Sequence, residues 1–248
     1  MPGNTISTDM WQYGICDMHG HFLPGMDDGS ASVEESLQML AASAKQGIGT
    51  VFATPHYYPV ESVSSFLERR EKSISQLQRA MEQKKGSYPR IIAGAEVAYR
   101  RGIGTAEDLE KLCLGNSRYL LLELPFARWE KSLFRDLSSI VNVRGLLPVI
   151  AHIERYRHLQ PQENMDRLLE MDVLLQMNAS ELLSWSSRRR AARMIRDDVV
   201  QVLGSDCHNM HTRVPNMGQA LAYLEKKGLG WTISRIAETG EEILRTAL

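Results

Sequence analysis

The sequence predicts an α/β protein whose strands form an incomplete or distorted (β/α) barrel. Seven short runs rich in Val, Ile and Leu alternate with longer stretches of helical period, and turn or capping residues separate them. The chain has 248 residues, which is close to the usual size of such a barrel. Seven strands that are each followed by a helix favour this fold over a doubly wound open sheet.

The predicted strands are short apolar runs bounded by turn residues. They span residues 15–18, 50–53, 91–95, 119–122, 147–151, 173–177 and 199–203. The first helix has the clearest start, because Ser32 and Glu35 have the spacing of a capping box. Leu37 and Leu40 then recur on one helical face until Gly47 ends the pattern. Further helices are predicted over residues 64–84, 105–113, 131–143, 164–170, 184–195 and 217–227.

Composition excludes several classes of protein. Hydrophobic residues make up 43% of the chain and charged residues 24%, which is typical of a folded domain rather than a disordered or fibrous protein. The 29 basic and 30 acidic residues leave a formal net charge of -1, so the chain as a whole has no electrostatic preference for nucleic acid or membranes. We therefore predict no nucleic-acid partner, and the sequence leaves the oligomeric state open.

The sequence also predicts a cellular location. No apolar run approaches the ~18 residues that a membrane-spanning helix needs. Residues 1–13 lack the basic and apolar regions of a secretion signal. We expect a cytoplasmic protein without direct membrane insertion. The three cysteines, Cys16, Cys113 and Cys207, are odd in number and far apart, which favours reduced thiols.

Histidines and acids gather at the ends of the predicted strands. Five of the 7 histidines and four acids follow or end a strand, and in a parallel barrel all these ends open on one face. They are His19, His21, His56, His152, His208, Asp28, Glu96, Glu123 and Asp206. Imidazole and carboxylate together suit a divalent transition metal. Burying so many ionisable groups at one mouth would be costly unless cations neutralised the acids, so the sequence predicts metal binding.

Short motifs in this order resemble the polymerase-and-histidinol-phosphatase (PHP) superfamily of metal-dependent phosphoesterases. The match is closest to PHP-type bacterial protein-tyrosine phosphatases linked to capsule and exopolysaccharide assembly, the CpsB/YwqE-like proteins. The motifs are D-x-H-x-H-x-L-P-G-x-D-D-G at residues 17–29, T-P-H at 54–56, G-x-E at 94–96, H-x-E-R-Y at 152–156, N-A-S at 178–180 and G-S-D-x-H at 204–208. The resemblance implies a distorted (β/α)7 TIM-like barrel, the PHP fold. It also implies an amino-terminal extension over residues 1–14 and a single PHP-type domain over residues 15–248.

The resemblance implies a cluster of up to three divalent ions, commonly manganese, with iron, zinc, cobalt and magnesium as other candidates. His19, His21, Glu96 and Asp206 would hold one ion. Glu96 would bridge to a second ion that Glu123 and His152 also bind, and Asp28, His56 and His208 would hold the third.

The same resemblance implies hydrolysis of phosphotyrosine on the tail of a bacterial tyrosine autokinase. Arg155 corresponds to the phosphate-binding arginine, and its planar fork suits two phosphate oxygens. A surface ion pair with Glu154 is the competing interpretation of Arg155. We predict that Arg155, Asp206 and His208 act in catalysis.

Two further functions remain as alternatives. One is a PHP phosphatase that acts on a small phosphorylated metabolite such as histidinol phosphate. The other is a metal-stabilised regulator that binds the kinase without hydrolysis.

Three other patterns bear on the site. Cys207 and Arg213 have the C-x5-R spacing of the thiolate-based tyrosine phosphatases, but no glycine lies between them to help form a phosphate-binding loop, so we reject that mechanism. The rings of Tyr57, Tyr58 and Phe126 follow predicted site residues and could pack on a phosphotyrosine ring or form the wall of the mouth.

The third pattern is a basic run over residues 188–196. It contains Arg188, Arg189, Arg190, Arg193 and Arg196 and could attract an acidic or phosphorylated peptide. A solvated helix face is the simpler interpretation of such a run.

Overall fold

Short parallel strands and longer helices alternate along residues 15–248, which are the residues that the computed structural model describes. The strands are β1 (Ile15–Gly20), β2 (Ile48–Ala53), β3 (His56–Tyr57), β4 (Arg90–Ala93), β5 (Glu96–Ala98), β6 (Tyr119–Glu123), β7 (Leu147–Ile150), β8 (Leu174–Asn178) and β9 (Val202–Gly204). The helices are α1 (Val33–Lys45), α2 (Val63–Lys84), α3 (Lys131–Asn142), α4 (Gln162–Leu169), α5 (Ser180–Leu183), α6 (Arg188–Arg196), α7 (Met217–Lys226) and α8 (Gly230–Ala247). The predicted amino-terminal extension, residues 1–14, lies outside the described residues.

The strands form a closed ring in which every pairing is parallel. One sheet has the order β1-β2-β4, and the other has the order β3-β5-β6-β7-β8-β9. A bridge between Gly20 and Cys207 joins the end of β1 to the chain just after β9, and the N–H of His21 donates to the carbonyl of Cys207 at 2.9 Å. β3 continues the direction of β2, and β5 continues the direction of β4. The ring therefore has seven positions, which we call staves: β1, β2 with β3, β4 with β5, β6, β7, β8 and β9. The predicted distorted (β/α)7 barrel is therefore confirmed.

Two staves are interrupted where they reach the mouth of the barrel. Thr54 and Pro55 separate β2 from β3, and Gly94 and Ala95 separate β4 from β5. The carbonyl of Pro55 accepts from the N–H of Glu96 at 3.0 Å, so the two staves remain hydrogen-bonded across the interruption. Beyond it, β3 and β5 pair as short strands that bring two site residues into register.

The core has two parts. Side chains inside the ring, such as Met18, Phe52 and Leu121, are almost fully buried. Ile243 and Leu244 near the end of α8 pack into the same cluster and close the end of the barrel opposite the mouth. The outer faces of the strands pack against the helices in a larger apolar layer.

Several predicted elements differ from the structure. The helix predicted over residues 105–113 is wrong, because the chain there forms two 3₁₀ turns, Ile103–Thr105 and Leu109–Leu112. Asp108 between them has a left-handed backbone with φ 59°, which stops a continuous helix. The helix predicted over 184–195 corresponds to α6, which begins only at Arg188, and neither the short α5 before it nor the long α8 was predicted.

Two other features concern the chain as a whole. Cys16, Cys113 and Cys207 are all buried free thiols, as the sequence predicted. Within residues 15–248, no helix combines the length and apolar character needed to cross a membrane.

Candidate metal centre

All nine predicted metal-type residues lie at the mouth of the barrel. The imidazole rings are close together, with centroids of His21 at 3.8 Å from His208, 4.7 Å from His56 and 5.4 Å from His19. His152 lies on the other side of His19, at 5.9 Å. The convergence follows from the parallel ring, because each residue stands at or just beyond the carboxyl end of a strand.

Glu96 occupies the centre of this group. Its Oε2 lies 3.2 Å from His19 Nε2, 3.3 Å from His21 Nε2 and 3.0 Å from His56 Nδ1. Its Oε1 lies 2.9 Å from His152 Nε2. Glu96 is the first residue of β5 and pairs in register with His56 of β3, so the interruption of both staves aims these side chains at one point.

The other three acids surround the centre. Asp206 Oδ1 lies 3.5 Å from His21 Nε2, and Glu123 Oε1 lies 3.2 Å from His152 Nε2. Asp28 Oδ1 lies 3.4 Å from the Nε2 of His208 and 3.5 Å from that of His56. The side chain of Asp28 is 65% exposed, whereas the other acids are mostly buried.

The backbone is strained at two of these positions. His152 and Asp206 have φ values of 35° and 51°, in the left-handed region that residues other than glycine rarely adopt. Each follows the end of a strand, so the reversal turns its side chain into the mouth. Such strain costs about 1–3 kcal/mol per residue and is typical of functional sites.

The donor atoms form three overlapping groups in which all atoms lie within 4.8 Å of one another. The groups are His19, His21 and Asp206; His56, Glu96 and Glu123; and His21, Asp28, His56 and His208. The partition implied by the resemblance differs in detail, because here His21 and His56 each belong to two groups. His152, assigned by the resemblance to the second ion, stands beside that group through Glu96 and Glu123.

The donor atoms fit metal ions because several of them are buried without a hydrogen bond in the described part of the chain. Buried side-chain atoms without a hydrogen bond to any described residue include His19 Nε2, His21 Nε2, His56 Nδ1, Glu96 Oε2 and His208 Nε2. An unsatisfied buried nitrogen or oxygen atom costs about 1–3 kcal/mol. Shared divalent cations would satisfy these atoms together, and imidazole with carboxylate is a suitable donor set.

Hydrogen bonds fix which ring nitrogen faces the mouth in three of the five histidines. The Nδ1–H of His21 donates to Asp27 Oδ2 at 2.7 Å, and that of His19 donates to Gln176 Oε1 at 3.2 Å. In His208, Nδ1–H donates to the carbonyl of Asp206 at 3.0 Å. In all three rings the lone pair of a neutral imidazole is therefore on Nε2, the nitrogen that points to the other donors.

Two amide side chains, Gln176 and Asn178, link ligand candidates through hydrogen bonds. Gln176 Oε1 accepts from the N–H of His152 at 2.7 Å, and Gln176 Nε2 donates to Asn178 Oδ1 at 3.0 Å. Asn178 Nδ2 in turn donates to Asp206 Oδ2 at 2.7 Å. Both amides lie on β8, so this stave positions ligand candidates on its two neighbours.

The electrostatics of the site follow from burial and mutual contact. Burial alone would raise the pKa of Glu96, but the surrounding imidazoles outweigh it and hold this pKa well below its usual range. Burial alone would lower the pKa of His152, yet its bonds to Glu123 and Glu96 raise it to about 9. Burial and repulsion from His21 and Arg213 lower the pKa of His208 to about 4.

Two guanidinium groups stand at the rim. Arg155 Nη2 donates to Asp206 Oδ2 at 2.6 Å, and Arg213 Nη2 lies 2.7 Å from Asp206 Oδ1. Both side chains are 38% exposed, so each keeps donors that face the solvent-filled mouth. Arg155 pairs with Asp206 rather than with Glu154, its competing partner from the sequence.

The position of Arg213 was missed by sequence reasoning, which considered this residue only as part of the rejected C-x5-R pattern. The signal was present, since Arg213 follows the D-x-H motif closely. Cys207 itself is fully buried in the core, and burial raises the pKa of its thiol well above the ordinary value. These features agree with rejecting a thiolate mechanism.

The predicted aromatic residues separate into two kinds. Tyr57 does not reach the mouth, because its ring packs against Phe66 and its hydroxyl donates to the carbonyl of Glu61 at 2.9 Å. This geometry gives no support to the prediction that Tyr57 packs on the substrate ring. Tyr58 is 50% exposed with its ring stacked on His56, and Phe126 is 53% exposed with its ring stacked on His152.

Known proteins with similar sequences and structures share this architecture. The family model of capsular polysaccharide synthesis proteins CpsB/CapC matches residues 15–244. The tyrosine-protein phosphatase CpsB of Streptococcus pneumoniae is 34% identical over 231 residues, which cover 86% of this chain and 90% of that protein. The tyrosine-protein phosphatase YwqE of Bacillus subtilis is 30% identical over 242 residues, which cover 93% of this chain and 92% of that protein.

A solved structure agrees with these sequence matches. It belongs to the crystal structures of YwqE from Bacillus subtilis and CpsB from Streptococcus pneumoniae, which are described as unique metal-dependent tyrosine phosphatases. The TM-score is 0.81 at 26% sequence identity, and the match covers 94% of this chain and 96% of that one. The chain thus belongs to the CpsB/CapC family of capsular polysaccharide synthesis proteins.

Proposed function

We propose that this protein is a metal-dependent phosphotyrosine-protein phosphatase. One observation carries the proposal: nine imidazole and carboxylate side chains converge at the barrel mouth, and five of their donor atoms are buried without a hydrogen bond to any described residue. Two arginines and two exposed aromatic rings border the same mouth. The family relatives named tyrosine-protein phosphatases add independent support.

The ligand candidates are the nine residues of the mouth, with Glu96 at the centre. When bound there, divalent cations supply positive charge to the phosphoryl group and activate water as the nucleophile. Manganese is the cation we propose, with up to three ions. Asp27 and Gln176 hold the imidazoles in the required tautomer, which is the contribution of the protein itself.

Arg155 and Arg213 are the groups that would bind the phosphate. In the structure Arg155 donates to Asp206 Oδ2 and Arg213 forms an ion pair with Asp206 Oδ1, so this carboxylate holds both guanidiniums at the rim. Their remaining N–H groups can donate to the non-bridging oxygens of a phosphate monoester. Charge on these oxygens is stabilised best by donors that are already in place, as in other enzymes that act on anionic transition states.

The chemistry of the leaving group favours an aryl phosphate. Tyrosine has a pKa of about 10, well below that of an alkyl alcohol, so its departure needs little help from a general acid. The rings of Tyr58 and Phe126 stand on the rim next to His56 and His152 and can pack against the phenyl ring. The substrate we propose is the phosphotyrosine tail of a bacterial tyrosine autokinase, which this protein would meet in the cytoplasm.

A reconstitution assay tests this function. The full chain is stripped with a chelator, analysed for metal content, and assayed on a phosphotyrosine peptide and on histidinol phosphate with and without added manganese. We expect no turnover without metal and restored hydrolysis of the peptide with manganese. A strong preference for histidinol phosphate, or no turnover in fully metallated protein, would overturn the proposal.

A further inference from the structure

A basic groove lies on the outside of the barrel, apart from the metal-type residues. We call it the α6 groove and define it by Arg189, Arg193, Arg196, Tyr223 and Lys227, which line a cavity of about 310 Å³ between α6 and the end of α7. Four of these five residues are cations, and all four are exposed. No acidic residue of the described chain lines this cavity.

The positive charge of the groove is largely uncompensated. Arg196 pairs with the neighbouring Asp197 at 2.8 Å, and the same carboxylate interacts electrostatically with Arg193, whereas Arg189 and Lys227 form no ion pair with any residue in 15–248. The whole chain carries a formal charge of only -1, so these cations are a local concentration rather than part of a basic protein. A cluster of this kind attracts an anionic partner.

The groove combines cations with an aromatic wall, which suits a peptide that carries acidic side chains. The ring of Tyr223 forms one wall and is held between cations, with the Arg188 guanidinium 5.8 Å and the Lys227 ammonium 5.7 Å from its centroid. Cations that line a concavity can surround acidic side chains of a chain lying in it.

The chain leads from the mouth into the helix that carries the groove. β8 ends at the mouth with Asn178, which donates to Asp206, and α6 then returns the chain to the opposite end of the barrel before β9. From Arg189 to Arg196 the helix rises about 10 Å, which is the length of about three extended residues. Trp185 lies in the segment between α5 and α6, between Asn178 and Arg189 in the sequence, and is 81% exposed.

We infer that the α6 groove docks an acidic segment of the phosphotyrosine protein whose tyrosine is hydrolysed at the mouth. The inference rests on the proposed function and adds a requirement for acidic residues on one side of the phosphotyrosine. It predicts that long acidic substrates are hydrolysed more efficiently than short ones because they bind more tightly.

The test compares peptides that differ only in their flank. Each carries one phosphotyrosine and a flexible linker to a block of glutamates on the amino or the carboxyl side, and a matched peptide has a neutral block. The double variant Arg189→Glu/Arg193→Glu is compared with Lys72→Glu/Arg79→Glu, which reverses two exposed charges on α2. Every rate on a long peptide is divided by the rate of the same variant on a short phosphotyrosine peptide.

We expect one of the two acidic peptides to have a kcat/KM about tenfold above that of the neutral peptide, an advantage of about 1.4 kcal/mol. The Arg189→Glu/Arg193→Glu variant should lose this advantage through a higher KM, and the α2 variant should keep it. Binding of a labelled acidic peptide with a non-hydrolysable phosphotyrosine mimic should weaken in parallel. Raising the salt concentration from about 0.1 M to about 1 M shortens the Debye length from about 10 Å to about 3 Å. This change should abolish the rate advantage of the acidic peptide.

Other results would overturn the inference without touching the proposed function. Equal rates on acidic and neutral peptides, or an advantage that survives in Arg189→Glu/Arg193→Glu, would show that the groove docks no acidic segment. Loss of binding to phosphatidylserine vesicles in this variant, with peptide binding intact, would assign the groove to a membrane surface. Absence of turnover on every phosphotyrosine peptide would instead contradict the proposed function.

Discussion

Single hydrogen bonds decide whether the histidines of the mouth can act as ligands. Asp27 is the clearest case, because its Oδ2 accepts from the Nδ1–H of His21 at 2.7 Å and from the N–H of His56 at 2.8 Å. Burial alone would raise the pKa of Asp27, but these contacts with His21 outweigh it and lower the pKa to about 2. Asp27 therefore stays ionised and orients two neighbouring strand ends at once.

The substitution Asp27→Asn tests this effect. An amide has no charge, so it accepts these bonds more weakly, and its NH2 group would replace Oδ1, which accepts from the N–H of Gly29 at 2.9 Å. We expect the affinity for manganese to fall about 10–100-fold while the fold is retained. Calorimetric titration of the metal-free protein measures the change, and Asp166→Asn on the exposed face of α4 is the control. An unchanged affinity would mean that Asp27 does not orient a ligand.

Arg213 gives a second prediction at this scale. We expect Arg213→Ala to lower kcat/KM on a phosphotyrosine peptide about 10²-fold, as Arg155→Ala should, because each removes a preformed donor to the phosphate. Lysine at either position should restore little, because it lacks the planar fork. The two losses should be less than additive in the double variant, since both arginines share Asp206. Normal kinetics of Arg213→Ala at full metal content would refute this assignment.

Among the residues of the site, those at strand ends could be predicted from sequence and those that depend on register could not. His19 and His21 stand in a spacing of two that places both on one side of a strand. Gln176 and Asn178 carry no such signal, since their importance comes from the pairing of β8 with its neighbours. Tyr57 is a similar case, because only the packing of β3 against Phe66 turns its ring inward.

At the scale of elements, local rules succeeded where one contact determines the structure. The capping box of α1 is present, with the Ser32 hydroxyl accepting from the N–H of Glu35 at 3.2 Å and the Glu35 carboxylate accepting from the N–H of Ala31 at 3.0 Å. α8 was missed because Gly240 interrupts its helical pattern. A Cβ at Gly240 would come 3.3 Å from the Cβ of Cys16, so this glycine lets the helix lie close to β1.

The close approach of β1 and β9 at the mouth leads to a prediction about Gly204. A Cβ there would lie 2.5 Å from the Cβ and 2.9 Å from the backbone nitrogen of His19, neither of which can move freely. We expect Gly204→Ala to destabilise the fold by about 1–3 kcal/mol and to impair metal binding by shifting His19.

Denaturant unfolding and metal titration measure both effects of Gly204→Ala. Gly230→Ala at the start of α8 is the matched control, because a Cβ there meets no atom within 4 Å. The control should be neutral or stabilising by up to about 1 kcal/mol. Equal stability of the two variants would contradict the account of the β1–β9 contact.

At the scale of the whole molecule, the barrel ring holds a charged centre that it cannot satisfy by itself. Buried donor atoms from β1, β5 and the segments after β2 and β9 face each other without hydrogen bonds among the described residues. Bound cations would therefore stabilise the complete ring, since they link strands that lie far apart in sequence.

Metal removal should lower the thermal stability of the entire domain. Ligand present at about 1,000 times its Kd stabilises a protein by about 4.1 kcal/mol. For a chain of this size that shift corresponds to a Tm change of roughly 10 °C. Calorimetry of the protein with manganese and with excess chelator measures it. An identical Tm in both conditions would show that the mouth does not hold metal in the folded state.

The central claim is that nine donors from separate strands bind several divalent ions together beside two arginines. Diffraction from crystals of the manganese-loaded protein, with anomalous difference maps collected at the manganese edge, tests it most directly. The account predicts more than one peak at the mouth, with Glu96 contacting two of the ions and Arg155 and Arg213 at the rim. Maps with no peak at the mouth, or with ions bound only elsewhere on the surface, would contradict it.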